Sequence, residues 1–251
     1  IKSIWKFIPN YNFIDVLYVY GAFGGIPAYL IKLNSKLDFY NNVLRLFFNK
    51  GGVLYEEAEN LLRQELREPR NYMLILRALS EGYRRVSEIA NITGIDKAAV
   101  SRYLDVLEML EIVDYEIPIL ERPKTKKRYY FIRDNYFNFW FRYVYPNRDL
   151  IEEEQSNRVL SYLKSDYDNY MGRIFEYIAR KFLIRNKELP FNLFKIGRHW
   201  GRNRRGETYE IDLLGLSGRG EFLIVEVKWS NLMVRDVERI VNNLSIKVDR
   251  A

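Results

Sequence analysis

Asp212, Glu226 and Lys228 are the residues whose types and spacing speak most directly of chemistry. Asp212 stands in "YEIDLLG", at a predicted strand end, and Glu226 and Lys228 lie two residues apart in "IVEVKW". Residues two apart in a strand point to one face. The fourteen positions from Asp212 to Glu226 leave room for a strand, a glycine turn and a neighbouring strand. Two carboxylates on adjacent strands hold a hard cation through oxygen. A lysine beside them orients an attacking water and offsets charge on the phosphorane, the arrangement a metal-dependent nuclease needs. Glu176, on the predicted helix "GRIFEYIARKFL", is placed to supply a third carboxylate. Charges set between Val225, Val227 and Trp229 rarely lack partners or work. The alternative is a structural Glu–Lys pair on a solvent-facing strand edge.

Between the first two predicted strands lies "GRHWGRNRRGE", with four arginines, Arg198, Arg202, Arg204 and Arg205, and no acid before Glu207. As a loop it would grip a phosphate backbone beside the carboxylates. His199 is the chain's one histidine. Without a second histidine, packing or phosphate contact suits it better than metal ligation.

Upstream, the periodicity predicts a winged helix-turn-helix over 70–133. "NYMLILRALSEG" is amphipathic and stops at Gly82, a usual helix terminator. "VSEIANITG" is a short second helix with Ser87 as its cap, and Gly94 makes the turn. The third helix follows with Asp96 as N-cap. Its stripe of Val100, Leu104, Leu107 and Leu110 packs inward. Lys97, Ala98, Ser101 and Arg102 then face outward near its N-terminus, the end a recognition helix presents to the major groove. "VDYEIPILERPKTKKRYYFIRD" reads as a hairpin. Its tip holds Arg122, Lys124, Lys126, Lys127 and Arg128 against Glu121. A cationic tip suits a phosphate backbone, so DNA is the expected partner. Helix-turn-helix folds also serve as protein–protein modules, for which Ala98 and Ala99 are equally suited.

The rest of the chain frames these parts. Residues 1–69 are predicted helical, with a turn at Gly21 to Pro27. Residues 134–251 open on an aromatic stretch; "YYFIRDNYFNFWFRYVYP", which spans that boundary, holds ten aromatics in eighteen residues. So dense a cluster is expected to cement subdomains rather than to stack bases. Helices continue to about 187, then three strands, "FNLFKIGRHW", "TYEIDLLGLS" and "EFLIVEVKWS", then "LMVRDVERIVNNLSIKV" as helix. With 251 residues, 48% of them hydrophobic, the chain has material for one large domain or a few small ones. The net charge of +7 suits a polyanionic partner, and equally a lysine-rich surface. No cysteine is present, which excludes disulfides and thiolate metal sites and fits a cytoplasmic location. No apolar run reaches the roughly 18 residues of a membrane span, so no membrane partner is expected. Ile1 is not a start residue, and a preceding segment is expected. No G-x-x-x-x-G-K-[ST] loop occurs in the chain.

The stretches "YGAFGGIPAYL", "LREPRNYMLILRALSEG", "SEIANITGIDKAAVSRYLDVLEML", "DNYFNFWFRYVYPNR", "GRIFE", "EIDLLG" and "VEVKW" span nearly the whole chain. In that order they resemble archaeal ATPases of the STAND/AAA-like class with a C-terminal winged helix and a restriction-endonuclease-like domain. The resemblance implies an α+β chain in three parts. Residues 1–69 are the helical lid of an ATPase whose P-loop core is absent. Residues 70–133 are the winged helix, and 134–251 an aromatic linker with an α/β domain on a small mixed sheet. It places Gly24, Gly25 and Pro27 against a bound nucleotide, so ATP and Mg2+ enter only through an upstream ATPase domain, itself a partner. Its nuclease-like part, of the PD-(D/E)XK superfamily, puts Asp212, Glu226 and Lys228 at the catalytic positions. Glu176, Asp212 and Glu226 become the ligands of Mg2+ or Mn2+. The resembled fold continues beyond the E-x-K strand with a helix and a further strand. This chain stops 23 residues after Lys228, so truncation of that domain is expected. A homo-oligomer is compatible with this reading. Two others stand beside it: a DNA-binding regulator with an inactive nuclease fold, and a protein-interaction platform.

Overall fold

The computed structural model describes residues 1–203 and 205–250, with Asp249 and Arg250 described by backbone alone. The chain is α+β, as expected. Its contacts define two compact units: Ile1–Tyr115 with Tyr129–Asp166, and Glu116–Arg128 with the chain from Tyr167 onward.

In the first unit, α1 (Phe13–Phe23), α2 (Pro27–Leu30), α3 (Phe39–Leu46) and α4 (Glu57–Glu65) precede the helix-turn-helix. The turn after α1 is tighter than predicted: Gly21 is still helical, and Gly24 ends the helix at φ 64°. The helix-turn-helix is α5 (Arg70–Glu81), α6 (Val86–Thr93) and α7 (Lys97–Met109). Gly82 terminates α5 at φ 103°, a conformation glycine reaches without steric cost. Asp96 caps α7, accepting from the amides of Ala98 at 2.9 Å and Ala99 at 3.2 Å. The expected cap of α6 is not Ser87, which lies inside the helix. The Glu88 carboxylate reaches back instead to the amides of Arg84 and Arg85, each at 3.0 Å. Val100, Leu104 and Leu107 are fully buried, each such side chain contributing about 1.5–3 kcal/mol by leaving water. Leu110 ends the stripe half-buried as the C-terminal cap. Strands β1 (Val113–Glu116) and β2 (Tyr129–Ile132) pair as a two-stranded ribbon.

The aromatic stretch is core, because it is apolar nearly all round. It forms α8 (Asn135–Phe139), a π-helical turn (Trp140–Val144) and a 3-10 turn (Tyr145–Asn147), followed by α9 (Arg148–Glu152). Tyr136, Phe139, Trp140, Phe141 and Tyr143 are all 0% exposed. The Trp140 indole donates to the carbonyl of Tyr55 at 2.6 Å, and the Tyr136 hydroxyl to that of Leu54 at 3.2 Å. These bonds tie the aromatic stretch to residues 1–69. Arg142 is the one charge in this turn. Its guanidinium donates to Asp166 at 2.7 and 2.9 Å and to the Ser80 carbonyl at 2.9 Å.

The 30-residue helix α10 (Ser156–Arg185) begins in the first unit and continues into the second. There β3 (Leu193–Arg202), β4 (Thr208–Ser217) and β5 (Phe222–Val225) form a sheet in that order, followed by α11 (Val234–Arg250). The sheet is antiparallel throughout its described strands rather than mixed. The connections are too short for a parallel crossover, which needs a dozen or more residues. Ile119, from the hairpin tip, packs with Ile211 and Leu214 of β4. Its amide donates to the Arg198 carbonyl at 2.9 Å, and Lys195 donates to its carbonyl at 2.7 Å.

Candidate functional site

Asp212 lies in the middle of β4, not at its end as predicted. The β4–β5 ladder stops at the pair Leu213↔Val225. One further step of that register sets Asp212 opposite Glu226, and opposed residues of an antiparallel pair share a face. The ladder does not take that step. The amide of Val227 donates instead to Asp212 Oδ2 at 2.9 Å, so Glu226 and Lys228 lie just beyond β5 rather than within it. Trp229 fastens this segment to α10: its indole donates to Asp168 at 2.9 Å, and its ring meets Phe175 edge-on at 5.1 Å.

Lys228 Nζ sits 2.6 Å from Glu226 Oε1 and 3.9 Å from Asp212 Oδ2, so both carboxylates face one ammonium. A second ammonium was not foreseen. Lys247 of α11 donates to both Glu226 oxygens, at 2.9 and 2.8 Å. The sequence signal for it was position alone. Asp236, Ile240, Leu244 and Lys247 recur at helical spacing and form the half-buried face of α11. Burial lifts the Asp212 carboxyl above its ordinary range, with Glu226 adding to the rise and the Val227 amide, Lys228 and Arg198 opposing it. Burial opposes ionisation of Glu226 too, but the hydrogen bonds from Lys228 and Lys247 outweigh it and hold that carboxyl below its ordinary value.

Glu176 does not join this pair. It is bound to the guanidinium of Arg198, which also meets Glu210 at 2.6 Å and Glu116 at 3.3 Å. Among the described residues no three His, Cys, Asp or Glu side chains come together to hold a metal ion. Asp212 and Glu226 are oxygen donors of the kind a hard divalent cation takes, and both face the Lys228 ammonium.

Several of the expected DNA contacts fall differently. Arg198 is 8% exposed and surrounded by carboxylates, so it is not available to a phosphate. It belongs to β3, as do His199 and Trp200; that strand, expected over "FNLFKIGRHW", runs on to Arg202, and Ile196 to Trp200 is nearly all buried. Arg202 and Arg205 are exposed around the short turn, and Arg204 lies outside the described residues. His199 is buried, with Nε2 3.3 Å from the Tyr209 hydroxyl, and burial lowers its pKa. On α7, Lys97, Ala98 and Arg102 are exposed and Ser101 half-exposed, as predicted. At the hairpin tip Arg122, Lys124 and Lys126 are exposed. Lys127 is paired with Glu121, and Arg128 is half-buried. At the turn after α1, Gly25 is open, with nothing within 4 Å of the position a Cβ would take, and Pro27 opens α2.

Residues 73–115, from α5 to β1, match a helix-turn-helix family described as a bacterial regulatory protein of the arsR family. Residues 140–240 match a family described as archaeal and bacterial proteins of unknown function. An uncharacterized protein of Methanocaldococcus jannaschii is 38% identical over 247 residues, covering 97% of this chain and 54% of the relative. The chain thus spans about half the length of the curated relative it matches. No solved structure matches it. No described helix is long and apolar enough to cross a membrane.

Proposed function

We propose that this chain is the DNA-binding part of a longer regulatory protein, and that it binds duplex DNA through α7. The observation that carries this is the outer face of α7: Lys97, Ala98 and Arg102 are exposed at the helix N-terminus while Val100, Leu104 and Leu107 are buried behind them. A helix so mounted presents short and cationic side chains to base edges and phosphates. Asp96 strengthens the presentation by fixing the first turn. Replacing Lys97, Ser101 and Arg102 together by alanine leaves the fold intact, since none packs in the core. Fluorescence anisotropy on duplex DNA is expected to show at least a tenfold loss of affinity. Unchanged binding by a folded variant sinks this reading.

A second activity is supported by the convergence of Asp212, Glu226 and Lys228. In this reading the longer protein hydrolyses phosphodiesters with Mg2+ or Mn2+ at that pair. The bound metal would supply Lewis acidity and a water of lowered pKa. The chain's own residues hold the carboxylates on one face, and Lys228 stands beside them to offset phosphate charge. Glu226→Gln is expected to abolish Mn2+-dependent nicking of plasmid DNA by the longer protein; full nicking by that variant removes the site. The alternative is a scaffold, favoured by the saturation of Glu226 with two ammoniums and of Glu176 with arginine. The resemblance of residues 1–69 to an ATPase lid extends the proposal to an ATP-dependent parent, with Gly24, Gly25 and Pro27 beside the nucleotide. Lacking a phosphate-cradling loop, this chain alone is expected to show no tight ATP uptake by calorimetry, and tight uptake would reject the lid assignment.

A further inference from the structure

Lys247 stands where a cation chelated by Glu226 would stand. Its ammonium is nearly equidistant from the two carboxylate oxygens, at 2.9 and 2.8 Å, and Lys228 also donates to Oε1 at 2.6 Å. Glu226 is 9% exposed, so these contacts fill most of its surroundings. Asp212 and Glu226 carry two negative charges, Lys228 and Lys247 two positive ones. The cluster is electrically balanced without any ion. A divalent cation approaching it gains little net attraction and meets an ammonium already on the chelating side. Lys247 is also able to leave. It reaches Glu226 by a flexible four-carbon stem from α11, and its side chain is 33% exposed. Asp212, by contrast, is held by the Val227 amide, and the segment of Lys228 by Trp229.

We propose that Lys247 is a built-in counter-cation that competes with a divalent metal for Glu226, so that the metal enters only as the ammonium swings away from the carboxylate. This rests on the reading of Asp212 and Glu226 as metal ligands and adds to it a device that keeps the site closed at low metal concentration. No bond is made or broken in the exchange beyond ligand contacts, and the ammonium keeps its protons as it moves to water.

The test is calorimetric titration of Mn2+ alone into the 251-residue chain, its Lys247→Met and Lys247→Gln variants, and each of these with Glu226→Gln added. Methionine keeps the length of the stem, glutamine its polarity, and circular dichroism checks each fold. Both Lys247 variants are expected to bind Mn2+ at least tenfold more tightly than the unchanged chain, and Glu226→Gln to abolish the gain. Equal affinity with lysine present or absent, still lost on Glu226→Gln, overturns the role of Lys247 and leaves the metal site standing. No binding by any folded variant overturns the metal site and this inference together.

Discussion

Replacing Arg122, Lys124 and Lys126 together by glutamine weakens binding to every DNA sequence alike and flattens its dependence on salt. All three are exposed at the hairpin tip, and no described carboxylate pairs with them. Lys127 is excluded because Glu121 already holds it, and Arg128 because it is half-buried. A phosphate contact contributes through release of condensed counterions, so each lost contact lowers the slope of log K against log salt by about 0.9. Three contacts lower it by about 2.7. Because that advantage fades toward 1 M salt, the same change costs on the order of 10²-fold in affinity at physiological salt. The tip is anchored through Ile119, in the core with Ile211 and Leu214, so the substitutions leave its support in place. Anisotropy titrations at several salt concentrations with two unrelated duplexes decide the matter. An unchanged slope assigns the hairpin to protein contacts, and a loss confined to one duplex assigns it to base reading.

Arg142→Ala destabilises the first unit by about 3 kcal/mol, the lower end of the cost of stripping one partner from a buried pair, since both side chains keep some exposure. Arg142 and Asp166 are only 17% and 15% exposed, and the bidentate pair is completed by the Tyr143 hydroxyl at 2.8 Å from Asp166. Loss of the guanidinium leaves a carboxylate with one neutral donor, and leaves the Ser80 carbonyl at the end of α5 without its partner. The thermal midpoint is expected to fall on the order of 10 °C for a domain of this size. Replacing both partners, Arg142→Met with Asp166→Leu, recovers most of the loss, because no uncompensated charge then remains. Urea unfolding of the three variants measures this directly. A single-variant loss under about 1 kcal/mol places the pair among weak surface bridges instead.

Which parts of this structure were legible in the sequence follows from how far each signal reaches along the chain. Gly82 and Asp96 end and begin helices for reasons local to one turn, and both act as predicted. The apolar periodicity of α7 assigned its buried and exposed faces for the same reason. The α6 cap was misplaced because serine is a strong cap in isolation, and the Glu88 carboxylate satisfied the amides first. The aromatic stretch announced a core by density alone, but its π-helical turn and its bonds to Tyr55 and Leu54 depend on partners eighty residues away. The strand read in "FNLFKIGRHW" is there and runs two residues further, to Arg202, but its buried positions Ile196, Arg198, His199 and Trp200 draw Arg198 inward among carboxylates instead of toward a phosphate. The Asp212–Glu226–Lys228 grouping was readable because a hairpin register is short-range. Lys247 was not, since only the docking of α11 on β4 brings it to Glu226.

The claim that the N-terminal outer face of α7 meets DNA is tested most directly by photocrosslinking. A p-benzoylphenylalanine at Ala98, which is exposed there, is compared with one at Met109, 80% exposed at the opposite end of the helix. Crosslinks to a labelled duplex from position 98 and none from position 109 are predicted. Equal crosslinking from both, or crosslinks from 98 to protein alone, would contradict it.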